Sequence, residues 1–68
     1  MSLGEQIRKA REAAGLSQET VAFDAGVDRS YLSDIERNLH SPTVDRLLAI
    51  CSAMGISASE LFRRLESE

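Results

Sequence analysis

Hydrophobic residues recur at spacings of three and four along most of this chain, the period of amphipathic helices. Leu3, Ile7, Ala10, Arg11 and Ala14 mark one face of a first helix, while Glu5, Arg8, Lys9 and Glu12 point elsewhere. Gly15 ends it and Leu16 turns into the core. Ser17 suits the N-cap of a second helix striped by Val21, Ala22 and Ala25, and Glu19 stands near its positive end. A third helix is expected from Arg29 to about Arg37, with Leu32, Ile35, Glu36 and Leu39 in step. Ser41 and Pro42 are expected to open a fourth, serine as cap and proline at the first helical position, where its missing N–H costs nothing. Its core face would carry Val44, Leu47, Leu48, Cys51 and Met54, up to Gly55. Ser57 and Glu60 have capping-box spacing for a fifth helix bearing Leu61, Phe62 and Leu65. Met1 and Ser2 are expected to fray. The pattern predicts an all-α, compact five-helix domain spanning residues 3–66.

The sharpest local signal lies between the second and third stripes, at Gly26-Val27-Asp28. Glycine can take the left-handed conformation that closes a helix, valine can plug the corner, and aspartate can cap the next helix. Small Ala22 permits a close crossing. Residues 18–37 thus form two short helices joined by a tight turn, the helix-turn-helix pattern.

Composition narrows the setting. At 68 residues the chain makes one domain near the lower size limit for a self-sufficient core. The core must come from helix packing, helped by a partner subunit if one exists. A single cysteine forms no intrachain disulfide, and no Cys/His grouping has metal-ligand spacing. There is no apolar run long enough for a membrane and no signal-peptide pattern, so a soluble, cytoplasmic setting is expected. A net charge of −3 argues mildly against nucleic acid, although charge distribution counts for more than the sum.

Two charges fall where apolar residues belong. Arg11 lies on the stripe of the first helix and Glu36 on that of the third. They can meet as an internal ion pair, since isolated buried charge is strongly disfavoured, or both can snorkel to solvent at the stripe edges. The opposite face of the third helix presents Arg29, Ser30, Ser33, Asp34 and Arg37. Arginine can bind the O6 and N7 acceptors of guanine bidentately, serine can donate or accept, and aspartate can accept from cytosine's amino group. Backbone N–H groups near Ser17 and Thr43, where helices begin, suit phosphates.

The stretch LSQETVAFDAGVDRSYLSDIERN resembles the helix-turn-helix of the lambda-repressor-like family, which includes phage repressors, Cro and restriction–modification controller proteins. The likeness runs from Leu3 through LLAICSAMGISASELF, and the joint pattern of Gln18, Ala22, Gly26, Val27, Leu32, Ile35 and Glu36 is specific. The resemblance implies a five-helix domain that dimerises on palindromic double-stranded DNA, with the third helix in the major groove. It implies DNA contacts at Gln18 and, in the following loop, at Asn38 and His40. It also implies an Arg11–Glu36 salt bridge. Phe62 and Leu65, with little chain left to cover them, are the expected homodimer surface.

Some features depart from that pattern. Glu19, Asp24, Asp28 and Asp34 make the helix-turn-helix poorly basic, so non-specific affinity should be modest. Phe23 is expected as a half-buried brace, Cys51 as a small core hydrophobe, His40 as an exposed loop residue, and Tyr31 as a brace or a stacking group near the DNA backbone. Nothing pairs a nucleophile with a base or builds a phosphate loop, so neither enzyme activity nor a cofactor or metal is expected. The expected function is a sequence-specific DNA-binding transcriptional regulator, a repressor or autoregulator. The alternative is an antitoxin-like or adaptor module whose main partner is a protein. No residues remain for a small-molecule effector domain, so regulation is expected through the protein's own concentration or a separate protein partner.

Overall fold

The computed structural model describes residues 2–67. Among these, five helices follow in order: α1 Leu3–Ala13, α2 Gln18–Ala25, α3 Arg29–Glu36, α4 Val44–Met54 and α5 Ala58–Glu66. No strand occurs among the described residues. The expected fraying of Met1 lies outside them. Packing pairs α2 with α4, α1 with α3, α2 with α3, and α5 with both α1 and α4. One core results, built from Ile7, Ala10, Val21, Ala22, Leu32, Ile35, Leu47, Ile50, Cys51, Met54 and Leu61.

Each helix end has an identifiable chemistry. The hydroxyls of Ser2, Ser17, Thr43 and Ser57 accept the backbone N–H three residues on, satisfying one otherwise unpaired donor each. At the corner of the helix-turn-helix, Gly26 adopts φ 74°. There its N–H donates to the Phe23 carbonyl and that of Val27 to the Ala22 carbonyl, closing α2 in a Schellman turn. The same pair of backbone hydrogen bonds closes α1, α3 and α4. In α3 the left-handed residue is Asn38, φ 63°, rather than glycine.

Several sequence expectations are corrected. Ser2 is ordered as the cap of α1, because its hydroxyl also accepts from Asn38 Nδ2 at 2.8 Å. Ala14, expected on the buried stripe of α1, is its exposed C-cap. The cap of α4 is Thr43, not Ser41, and Pro42 lies outside the helix. Both candidate hydroxyls suit a cap, but the chain stays extended through Thr43, whose oxygen receives the Arg46 N–H at 3.3 Å. Ile50, absent from the expected core face, is fully buried, whereas Val44 and Leu48 are exposed. The apolar arc of α4 is wider than the core it faces, so its edge remains in solvent. Asp28 holds the N-cap geometry of α3 without any side-chain cap hydrogen bond. Leu39 is exposed because the Schellman turn carries it off the α3 stripe. Phe23 is 85% exposed rather than half-buried, since α2 buries Val21 and Ala22 and turns Phe23 outward.

The α1–α3 seam positions everything else. Gly4 is buried there, and a Cβ on it would collide with the Ile35 carbonyl and approach the Glu36 carbonyl to 2.9 Å. Its N–H donates to Asn38 Oδ1 at 3.2 Å. A side chain at position 4 would therefore wedge α1 away from α3.

Candidate nucleic-acid interface

Leu32, Ile35 and Glu36 seal one face of α3 into the molecule. Glu36 is buried, and Arg11 meets it bidentately, Nε to Oε2 at 2.7 Å and Nη2 to Oε1 at 3.1 Å. The side chains are 11% and 2% exposed, which decides for the internal pair over snorkelling. Arg11 Nη1 also donates to the Leu16 carbonyl at 2.8 Å, so one guanidinium joins α1, α3 and the turn before α2. The hydrogen bond that Arg11 donates to Glu36 raises the Arg11 pKa above its ordinary value, and burial opposes that rise only in part. Among the described residues, no buried side-chain nitrogen or oxygen lacks a hydrogen-bond partner.

The expected site residues fall into two groups around α3. At its start, Gln18 is half-buried and bridges inward and outward. Its Nε2 donates to Glu36 Oε1 at 3.1 Å, and its Oε1 accepts from Arg29 Nη1 at 3.3 Å. Arg29 and Ser30 are exposed, and Ser33 and Asp34 are partly covered. Ser17, exposed at the cap of α2, also donates its hydroxyl to Thr20 Oγ1 at 3.0 Å.

At the end of α3, Arg37 is the exposed C-cap, with no ion-pair partner among the described residues. Asn38 is exposed, yet its amide clamps Gly4 and Ser2, so both of its ends are already occupied. His40 Nε2 lies 3.8 Å from Asp34 Oδ2, an ion pair only when the imidazole is protonated. The His40 ring stacks on Tyr31 at 6.3 Å, and the Arg46 guanidinium sits 4.9 Å from the Tyr31 ring centre. Tyr31 is thus a brace between the loop and α4. Thr43, exposed at the start of α4, completes this side. Arg46 was missed by the sequence reading, because only the fold brings its cation beside Tyr31.

Two short helices crossed at a glycine turn, the second with one sealed and one polar open face, define a helix-turn-helix domain. The profile of the family described as Helix-turn-helix matches residues 7–61, and the chain belongs to that family. It is 38% identical over 61 residues to the immunity repressor protein of Bacillus phage phi105, covering 90% of this chain and 42% of that protein. It is 38% identical over 66 residues to control protein C.MunI of a Mycoplasma species, covering 96% and 89%. The fold matches the restriction-modification controller protein C.AhdI of Aeromonas hydrophila with TM-score 0.85 and 42% identity, over 88% of this chain and 91% of that one. The chain spans less than half the length of the phage repressor and of the mycobacterial regulators it also matches. The lambda-repressor-like resemblance and the all-α five-helix fold are therefore both borne out. No helix among the described residues is long and apolar enough to cross a membrane.

Proposed function

We propose that the protein is a sequence-specific double-stranded DNA-binding transcriptional regulator that acts as a homodimer on a palindromic operator. One observation carries the reading: α3 buries Leu32, Ile35 and Glu36 and leaves Arg29, Ser30 and Arg37 open along its other face. An α-helix presented this way fits the major groove, where base edges are individually distinguishable. In this reading Arg29 takes guanine, Ser30, Ser33 and Asp34 tune neighbouring positions, and Arg37, His40 and the helix starts at Ser17 and Thr43 meet phosphates. Phe62, exposed on α5, with half-buried Leu65, forms the symmetric subunit contact. The repressor and controller relatives support repression or autoregulation, and the proposed setting is the bacterial cytoplasm, for a protein of bacterial or phage type. The unit doing this is the single domain of residues 3–66.

The two arginines should fail differently. Arg29→Ala is expected to cost about 1–3 kcal/mol per half-site and to relax preference at one base pair in each half. Arg37→Ala is expected to weaken all duplexes about equally and to lower the salt slope by about one per subunit. Titrations of specific and scrambled duplexes at several salt concentrations separate them. Wild-type behaviour in both variants would remove α3 from the reading role.

A second reading, a module whose main partner is a protein, is favoured by Phe23, which stands exposed beside Glu19, Asp24 and Asp28. Absence of sequence-preferring DNA binding at any salt would favour it.

A further inference from the structure

One side chain in the loop after α3 carries a charge that pH can change. The sequence contains a single histidine, His40, and histidine is the side chain that ordinarily gains or loses its charge between about pH 5 and 8. Its ring lies against Tyr31, centroid to centroid at 6.3 Å with 28° between the planes, and the Arg46 guanidinium sits 4.9 Å from the Tyr31 ring centre. In that pose Nε2 faces Asp34 Oδ2 at 3.8 Å.

That separation is too long for a hydrogen bond, so a neutral imidazole gains little from the carboxylate, whereas an imidazolium is attracted to it. Two cations oppose protonation: Arg46 on α4, which acts across the Tyr31 ring, and Arg37, the exposed cap of α3. A tyrosine phenol is ordinarily neutral in this range. From α1, Leu3 and Gly4 line the hollow beside His40, with Ile35, Asn38, Ser41 and Pro42, and none of these side chains titrates. Phosphates arriving at this end of α3 would engage the two arginines and add their own attraction for a proton. Asp34, 35% exposed on the open face of the helix, would repel the same phosphates unless a cation pairs with it.

We propose that DNA binding takes up a proton at His40 in each subunit, and that the resulting imidazolium shields Asp34 from the phosphates. Protonation turns a lone anion at the interface into a neutral pair. The protonated form therefore binds DNA better than the neutral form. Affinity is highest at low pH and falls as pH rises through the range in which the bound imidazole loses its proton. The fixed charges of Arg29 and Arg37 give no such dependence. The assignment rests on the reading of α3 as the DNA-facing helix.

The test measures affinity of the full chain for the duplex that wild type selects from a random pool, at about pH 6 and about pH 8 and at one ionic strength. His40→Gln keeps a polar side chain that does not titrate, Asp34→Asn removes the carboxylate, and thermal midpoints at both pH values check that each variant is folded. Wild type is expected to bind about tenfold more tightly at the lower pH, roughly threefold from each subunit. His40→Gln should differ by less than about twofold, which also measures what any other titrating group contributes, and Asp34→Asn should keep a gain of about threefold or less. Because the chain has one histidine, its Cε1–H proton resonance reports the charge state without ambiguity. At about pH 7 that resonance should move toward the imidazolium position when the duplex is added. An unmoved resonance, or a wild-type gain retained by His40→Gln, would overturn the proton uptake. The full gain in Asp34→Asn would overturn the shielding and leave His40 a phosphate contact alone. Specific binding that ignores pH would sink the proposal and spare the reading of α3, whereas no sequence-preferring binding at either pH would overturn that reading itself.

Discussion

The α1–α3 seam and the outer side of α4 and α5 are built to different standards. At the seam, a glycine admits backbone contact, a bidentate ion pair is sealed from water, and an asparagine ties Ser2 and Gly4 to the end of α3. On the other side, Val44, Leu48 and Phe62 remain exposed, while only Leu47, Ile50, Cys51, Met54 and Leu61 reach the core. Polar groups at the seam have every partner they need within one chain. On α4 and α5, Val44, Leu48 and Phe62 stay in solvent. The seam fixes the helix proposed to read DNA, and exposed Phe62 belongs to the proposed subunit contact.

The largest effect should come from the seam. Arg11→Ala strands the Glu36 carboxylate in a buried site and removes the bond to the Leu16 carbonyl. A loss of about 3–5 kcal/mol is expected, read as a shifted denaturation midpoint, with much of it recovered when both positions become well-packed apolar residues. A midpoint near wild type would put the pair outside the energetics of the fold.

Asn38 should come next and can be dissected. Asn38→Gly keeps the left-handed backbone at φ 63° but cuts both side-chain bonds, whereas Asn38→Ala also strains the backbone. The glycine variant should lose about 1 kcal/mol, as expected for hydrogen bonds of this kind, and the alanine variant about 1 kcal/mol more. Equal losses would mean that the backbone conformation contributes nothing measurable.

Phe62→Ala should have the smallest effect on monomer stability, because the ring is nearly half exposed. Its effect should appear in association. Sedimentation should show weaker dimerisation, with DNA affinity falling in parallel. An unchanged dimer would place the interface elsewhere, with Val44 and Leu48 the next apolar groups to test.

What the sequence made legible follows the same division. Local chemistry was readable: the Ser17 and Ser57 caps, the Gly26 corner and, apart from Ala14 and Leu39 at their ends, the stripes of α1 to α3 each depend on residues within a turn or two. The Arg11–Glu36 pair was readable because charge on an apolar stripe demands a partner. Gly4 was not, since its small size matters only against carbonyls more than 30 residues away. Asn38 was expected at DNA, and nothing local announces that its amide also clamps α1. Spacing described the apolar arc of α4 but not how much of it the core would accept, so Val44 and Leu48 were placed inside and Ile50 was passed over. Phe23 was expected to be half-buried, and nothing among the described residues packs over the outward side of α2 to cover it. Burial of Cys51 was expected and is observed, and burial pushes its thiol pKa up.

Selection of duplexes from a random pool by the wild-type protein tests DNA reading by α3 most directly. Enrichment of a pseudo-palindrome is predicted, its half-sites centred about one helical turn apart, roughly 10 base pairs, or a multiple of that. Recovery of sequences no different from the starting pool, at low and moderate salt alike, would contradict it.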